Sequence, residues 1–148
     1  MFKTPIFAVL TVLLSANAAF AARDILCEVP KGANTVNGIS TLIYHQEDWE
    51  GVGKTTIVRN TRQVSVHQGY PSEEGLSWGE FERQDRGTNF SVEDYVMLRK
   101  YRDKKGSRFA LVKVRTTLSG PHCDGHHACE ESSEMLENVP VNCTDSVK

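Results

Sequence analysis

From Asn34 to Trp49 the apolar positions Val36, Ile39, Leu42, Ile43 and Trp49 recur at intervals of three, four and seven, the stripe of one apolar helix face. Asn34 or Thr35 supplies a cap, and Gly51 and Gly53 follow where such a helix stops. Beyond Gly53 the texture changes. The segments 55–60 (TTIVRN), 62–68 (RQVSVHQ), 76–83 (LSWGEFER), 93–102 (EDYVMLRKYR) and 107–118 (SRFALVKVRTTL) are β-branched or alternating, each bounded by Gly, Pro, Asn or Asp. Asp103-Lys104-Lys105-Gly106 joins the last two as a hairpin turn. A short acidic helix is expected over 128–139, with Met135 and Leu136 packing inward.

The expected architecture is α+β: one N-terminal helix packed on a four- to five-stranded, mostly antiparallel sheet. Alternation sorts its faces. Ala110, Val112, Val114 and Leu118 form the apolar face of the last strand, and Lys113, Arg115 and Thr117 point the other way. If the polar faces of neighbouring strands coincide, one surface carries His67, Glu80, Glu82, Lys113 and Arg115 with Trp78 and either Tyr95 or Tyr101.

The N-terminus sets the compartment. Lys3, the apolar run Ile6–Leu14 and the small residues Ala19-Phe20-Ala21 make residues 1–22 a secretory signal peptide, cleaved after Ala21 or Ala22. The run is too short to span a bilayer. Residues 23–148 are then one exported, extracellular domain, a monomer, with no membrane partner expected.

All four cysteines lie after the leader. In an oxidising compartment an even count points to disulfides, and four cysteines allow three pairings. The pairing expected here ties the two ends through Cys27–Cys143 and closes a local loop through Cys123–Cys129. That loop carries His122, His126 and His127, three of the five histidines. With the thiols oxidised, only these imidazoles are left as metal ligands, and adjacent histidines on a tight loop rarely converge. A histidine-rich disulfide loop is therefore expected rather than a metal centre.

Charge is lopsided although the net is only −2. The window 99–115 holds Arg99, Lys100, Arg102, Lys104, Lys105, Arg108, Lys113 and Arg115 against Asp103, and the last thirty or so residues are acidic. Such a hairpin suits an anionic partner or serves as a lysine-guarded edge. Gly51-Val52-Gly53-Lys54-Thr55 imitates a phosphate-binding loop, but Asp48 stands where that loop needs glycine, and a strand follows it. No cofactor, nucleotide or otherwise, is expected. Asn89-Phe90-Ser91 and Asn142-Cys143-Thr144 are glycosylation sequons.

The layout resembles the secreted fungal guanyl-specific ribonucleases and the ribonuclease-like effectors of plant-pathogenic fungi. Cys27, the helix of Val36–Trp49, the strands and Cys143 fall in that order, Tyr70–Trp78 is similar to the family's Tyr-Pro-His stretch, and Leu111–Thr117 to its strand ending in Thr-His. The family cleaves RNA with a carboxylate base and a histidine acid, while an arginine and a second histidine hold the phosphate. Here Ser72 and Thr117 stand where the histidines are expected, and neither transfers a proton near neutral pH as imidazole does. The resemblance thus implies a non-catalytic virulence effector, acting extracellularly or after translocation into host cells. It would bind a host RNA or protein through Arg99, Tyr101, Lys113, Arg115 and Trp78. Two alternatives stand beside it: an active endoribonuclease using His67, Glu80 or Glu82, Arg115 and His122, and an extracellular metal-binding protein built on His122, His126 and His127.

Overall fold

The computed structural model describes residues 23–46, 52–85, 90–120 and 129–147. It contains eight strands: β1 (Arg23–Glu28), β2 (Ile39–Gln46), β3 (Gly53–Arg59), β4 (Val64–Ser72), β5 (Gly75–Asp85), β6 (Phe90–Asp103), β7 (Gly106–Ser119) and β8 (Glu130–Val147). Each pairs antiparallel with the next, and β8 returns to β1, closing a barrel. The expected α+β class is therefore corrected to all-β, and among the described residues there is no helix.

The physical cause of the helical misreading lies at the start of β2. Asn37 and Gly38 take positive φ (47° and 72°), and the Ile39 N–H donates to the Val36 carbonyl at 2.9 Å, which closes a turn. The β2–β3 register then shifts between Ile39 and Thr41. A bulge of this kind adds residues to one strand, so side chains three apart face the same side. Val36, Ile39 and Leu42 are all fully buried, and their spacing imitates a helix stripe. Ile39, Thr41 and Ile43 carry the β-branched side chains that favour the strand. Trp49 lies outside the described residues.

From Glu130 onward the segment of the acidic helix expected over 128–139 is likewise a strand, the first part of β8, and Ala128 lies outside the described residues. A second register shift, opposite Lys113 and Val114, leaves Met135 and Leu136 exposed rather than inward. The five strand segments expected between these regions do form β3 to β7, and Asp103 pairs with Gly106 across the expected turn. The Lys105 N–H donates to Asp103 Oδ1 at 2.8 Å, and Gly106 takes φ 123°.

Side chains fill the barrel, so its interior is a core and not a pore. Ile25, Leu42, Tyr44, Ile57, Leu76, Trp78, Leu98 and Leu111 meet there, drawn from six of the strands. Room for the Tyr44 ring comes from two glycines paired opposite each other, Gly53 and Gly69. A Cβ at either would stand 2.7 Å from Tyr44 Cε2. Cys27 and Cys143 face each other across the closing seam with Cα atoms 4.1 Å apart and are disulfide-bonded, as expected. Cys129 is also disulfide-bonded; Cys123, its expected partner, lies outside the described residues.

β7 reverses the expected faces. The barrel core takes Phe109 and Leu111, the face that continues through Lys113 and Arg115. Ala110, Val112 and Val114 form a separate cluster on the outer wall, under Tyr95, Met97 and Tyr101. Both faces of the middle of β7 are buried, so its alternation carries no signal of which side is inside.

Candidate functional site

β5, β6, β7 and β8 are the longest strands, and their upper ends form an inner wall of polar side chains above the apolar core. Glu82, Asp94, Arg115 and Glu134 stand in one register row across the four strands. The groove over this wall measures ≈ 280 Å³ and is lined by Glu82, Gln84, Phe90, Asp94, Arg115 and Thr117 among others. Arg115 grips Asp94 with two hydrogen bonds, Nε to Oδ1 at 2.7 Å and Nη2 to Oδ2 at 2.8 Å. One row nearer the core, Lys113 Nζ donates to Asn37 Oδ1 at 3.2 Å, tying β7 to the turn before β2.

A second polar chain crosses the barrel at the level of Trp78. Ser77 pairs with Met97 but Phe81 with Tyr95, so β5 bulges over residues 78–80 and turns Glu80 toward β3. Glu80 accepts from Arg59 Nη2 through Oε1 and from the Trp78 indole through Oε2 at 2.9 Å. Arg59 Nη1 also donates to Ser65 Oγ at 3.1 Å, and the same hydroxyl meets His67 Nε2 at 3.0 Å. His67, Ser65, Arg59, Glu80 and Trp78 thus form one hydrogen-bonded chain inside the molecule.

The expected coincidence of polar faces is met for Glu80, Glu82, Lys113 and Arg115, which share the inner wall. His67 joins them through Ser65 and Arg59. Trp78, expected on a binding face, is only 2% exposed and belongs to the core. Arg99 and Tyr101 lie on the opposite, outer side of the sheet, where the guanidinium sits 5.3 Å from the ring centroid. The five expected binding residues are therefore divided among the outer wall, the inner wall and the core. His122, His126 and His127 lie outside the described residues, and among the described residues no cluster of His, Cys, Asp or Glu has metal-binding geometry.

Asp94 and Arg59, which sequence reasoning passed over, are central to the arrangement. A signal for Asp94 was present. With Asp103 opposite Gly106, counting back along the hairpin sets Asp94 opposite Arg115. No comparable signal exists for Arg59, because its contact with Glu80 crosses the barrel interior.

The Arg115 hydrogen bonds hold the Asp94 carboxyl below the ordinary carboxylate range, and Asp94 in turn raises Arg115. At the other end of the barrel Arg23 does the same to Asp145, with Lys100 adding to it. A carboxylate whose pKa is lower folded than unfolded stabilises the fold fully above its unfolded value of about 3.9, and that contribution is lost as the pH falls through the folded value. Urea midpoints measured at descending pH are expected to fall in this acid range. Asp94→Asn should flatten that dependence, and an unchanged slope would show that the Asp94–Arg115 pair adds nothing.

No protein-family model, no curated protein and no solved structure matches this chain.

Proposed function

We propose that the chain is an exported binding protein without catalytic activity, and that its partner is a protein. The observation that carries this is that Asp94, Glu80 and His67 are each engaged by neighbouring side chains. In-line attack on a phosphate by a neighbouring hydroxyl requires a proton acceptor and a proton donor on opposite sides of an open site. Here both Asp94 oxygens face Arg115, both Glu80 oxygens are occupied by Arg59 and Trp78, and His67 is bonded to Ser65. Arg115 spends Nε and Nη2 donors on Asp94, which leaves only its remaining Nη hydrogens for a phosphate.

A protein suits the surface better than RNA. Phosphate recognition needs cations spread along one accessible track. Arg99 lies on the outer wall, Lys113 and Arg115 lie on the inner wall bonded to Asn37 and Asp94, and the exposed Arg102, Lys104, Lys105 and Arg108 gather at one hairpin tip rather than along a track. The outer wall of β1 to β4 instead presents Leu26, Ile43, Thr56 and Val66 in one register row, with Val64 beside them. Leu26, Ile43, Val64 and Val66 are 43%, 41%, 59% and 62% exposed, and an apolar strip of this kind marks interaction surfaces. Export rests on the leader-like residues 1–22, and the Cys27–Cys143 bond is compatible with an oxidising compartment. An effector role against a host protein belongs to the same proposal.

The test is a gel. The disulfide-bonded protein is incubated with labelled structured RNA at low and moderate salt, from acid to neutral pH. Intact, unshifted RNA is expected. Cleavage that disappears in His67→Ala or Glu82→Gln would establish the endoribonuclease instead, and a salt-sensitive shift without cleavage would make RNA the partner.

A further inference from the structure

The barrel wall divides between the lower ends of β7 and β8. β7 and β8 are paired from Ser119↔Glu130 down to Phe109↔Val141, and there their pairing ends. Below that point Gly106, Ser107 and Arg108 pair only with β6, while Asn142 to Val147 pair only with β1. Two strand edges therefore face one groove of ≈ 470 Å³, within the range of about 300–1,000 Å³ typical of ligand clefts. Ser107 and Arg108 form one bank, Asn142 and Thr144 the other, and Leu26 and Glu28 extend the second bank along β1. Phe109, Val141 and Cys143 also line it, so the groove reaches down to the closing disulfide.

Building on the protein-binding function proposed above, we propose that this groove accepts an extended acidic peptide segment of the partner, which adds as a strand between β7 and β8. Backbone N–H and C=O groups at an open edge need a hydrogen-bonding counterpart, and an incoming strand supplies one at every second residue. Side chains of an added strand alternate between groove floor and solvent. The floor side meets Phe109, Val141 and the disulfide, which suits small apolar residues. The rim selects for negative charge. Arg108 has a side chain 74% exposed, and Arg102, Lys104 and Lys105 on the same hairpin are exposed too. On the outer wall Tyr101 stands directly opposite Arg108 and carries Arg99 over its ring. Against these cations the rim offers Asp103, ion-paired to Arg108, and Glu28. The same positive charge opposes edge-to-edge pairing of two copies of this chain, because their hairpins would repel.

The probe is a fluorescent peptide of alternating Glu and Val residues, added to the disulfide-bonded protein and followed by anisotropy. Three companions accompany it: the same peptide N-methylated along one edge, the same peptide N-methylated along the other, and a Lys-Val peptide. Binding of the Glu-Val peptide is expected to weaken with salt and to drop about tenfold in Arg108→Glu, whose side chain is exposed. N-methylation is expected to cost at least about tenfold while leaving charge unchanged, because it removes the strand hydrogen bonds. Amide exchange should slow at alternate residues of the open edges, at Cys143 or at Asn142 and Thr144 on β8 and at Ser107 or Arg108 on β7. Equal binding of the methylated peptides, protection confined to other strands, or no binding at about 1 mM would overturn the slot. Cleavage of RNA in the gel would remove the non-catalytic function and leave the slot standing. Intact RNA with no peptide binding would remove the slot alone.

Discussion

Replacing Cys27 and Cys143 together by alanine is expected to lower the free energy of unfolding by roughly 4–5 kcal/mol, on the chain-entropy account of a long closed loop. The bond joins residues 116 positions apart, so it constrains nearly the whole described chain when unfolded. It also sits where the fold needs it. β1 and β8 come from opposite ends of the chain, and their pairing alone converts an open meander into a barrel. Cys27 is 1% exposed within the core, so its replacement by alanine removes packed sulfur as well. Domains of this size have a total stability of about 5–15 kcal/mol, and the variant should be marginal at ambient temperature. Urea denaturation checks it. The midpoint should fall, and the slope should rise as the unfolded chain expands. A loss below about 1 kcal/mol would show that strand pairing closes the seam unaided.

Trp78→Ala is expected to cost a further large amount, about 3–5 kcal/mol, the range for emptying a buried aromatic site. Trp78 is the largest of the fully buried side chains. Its indole N–H also orients Glu80, which in turn anchors Arg59 and through it Ser65. Trp78→Phe separates the two contributions. It keeps most of the ring volume but leaves a Glu80 oxygen without its donor, which should cost about 1–3 kcal/mol. If Trp78→Ala and Trp78→Phe were equally mild, the residue would not be the keystone between core and polar chain.

The β6–β7 hairpin was legible because its information is local. A two-residue turn sets every cross-strand pair above it, from Asp103↔Gly106 up to Phe90↔Ser119. The Asp94–Arg115 pair follows from that register alone. β2 was illegible because the turn at Asn37 and Gly38 and the bulge after Ile39 together buried Val36, Ile39 and Leu42 at helix-like spacing. Periodicity counts residues and does not register that one of them has been added to a strand. The outer face of β7 failed for a different reason. Val112 and Leu111 are both fully or almost fully buried, one under Tyr95 and Met97 and the other in the core, so neither face reads as wet.

Residue order by itself determined the local elements: the β3 to β7 segments, the hairpin turn and its register, and an end-to-end cystine among the possible pairings. Backbone propensity and turn chemistry act over a few residues and are written in those residues. Closure was decided only by tertiary structure. It rests on hydrogen bonds between strands at opposite ends of the chain, on bulges that re-aim Glu80 and Met135, and on contacts such as Arg59 with Glu80 across the interior. Those contacts depend on which face of each strand turns inward, and that choice is made jointly by all eight strands when the barrel closes.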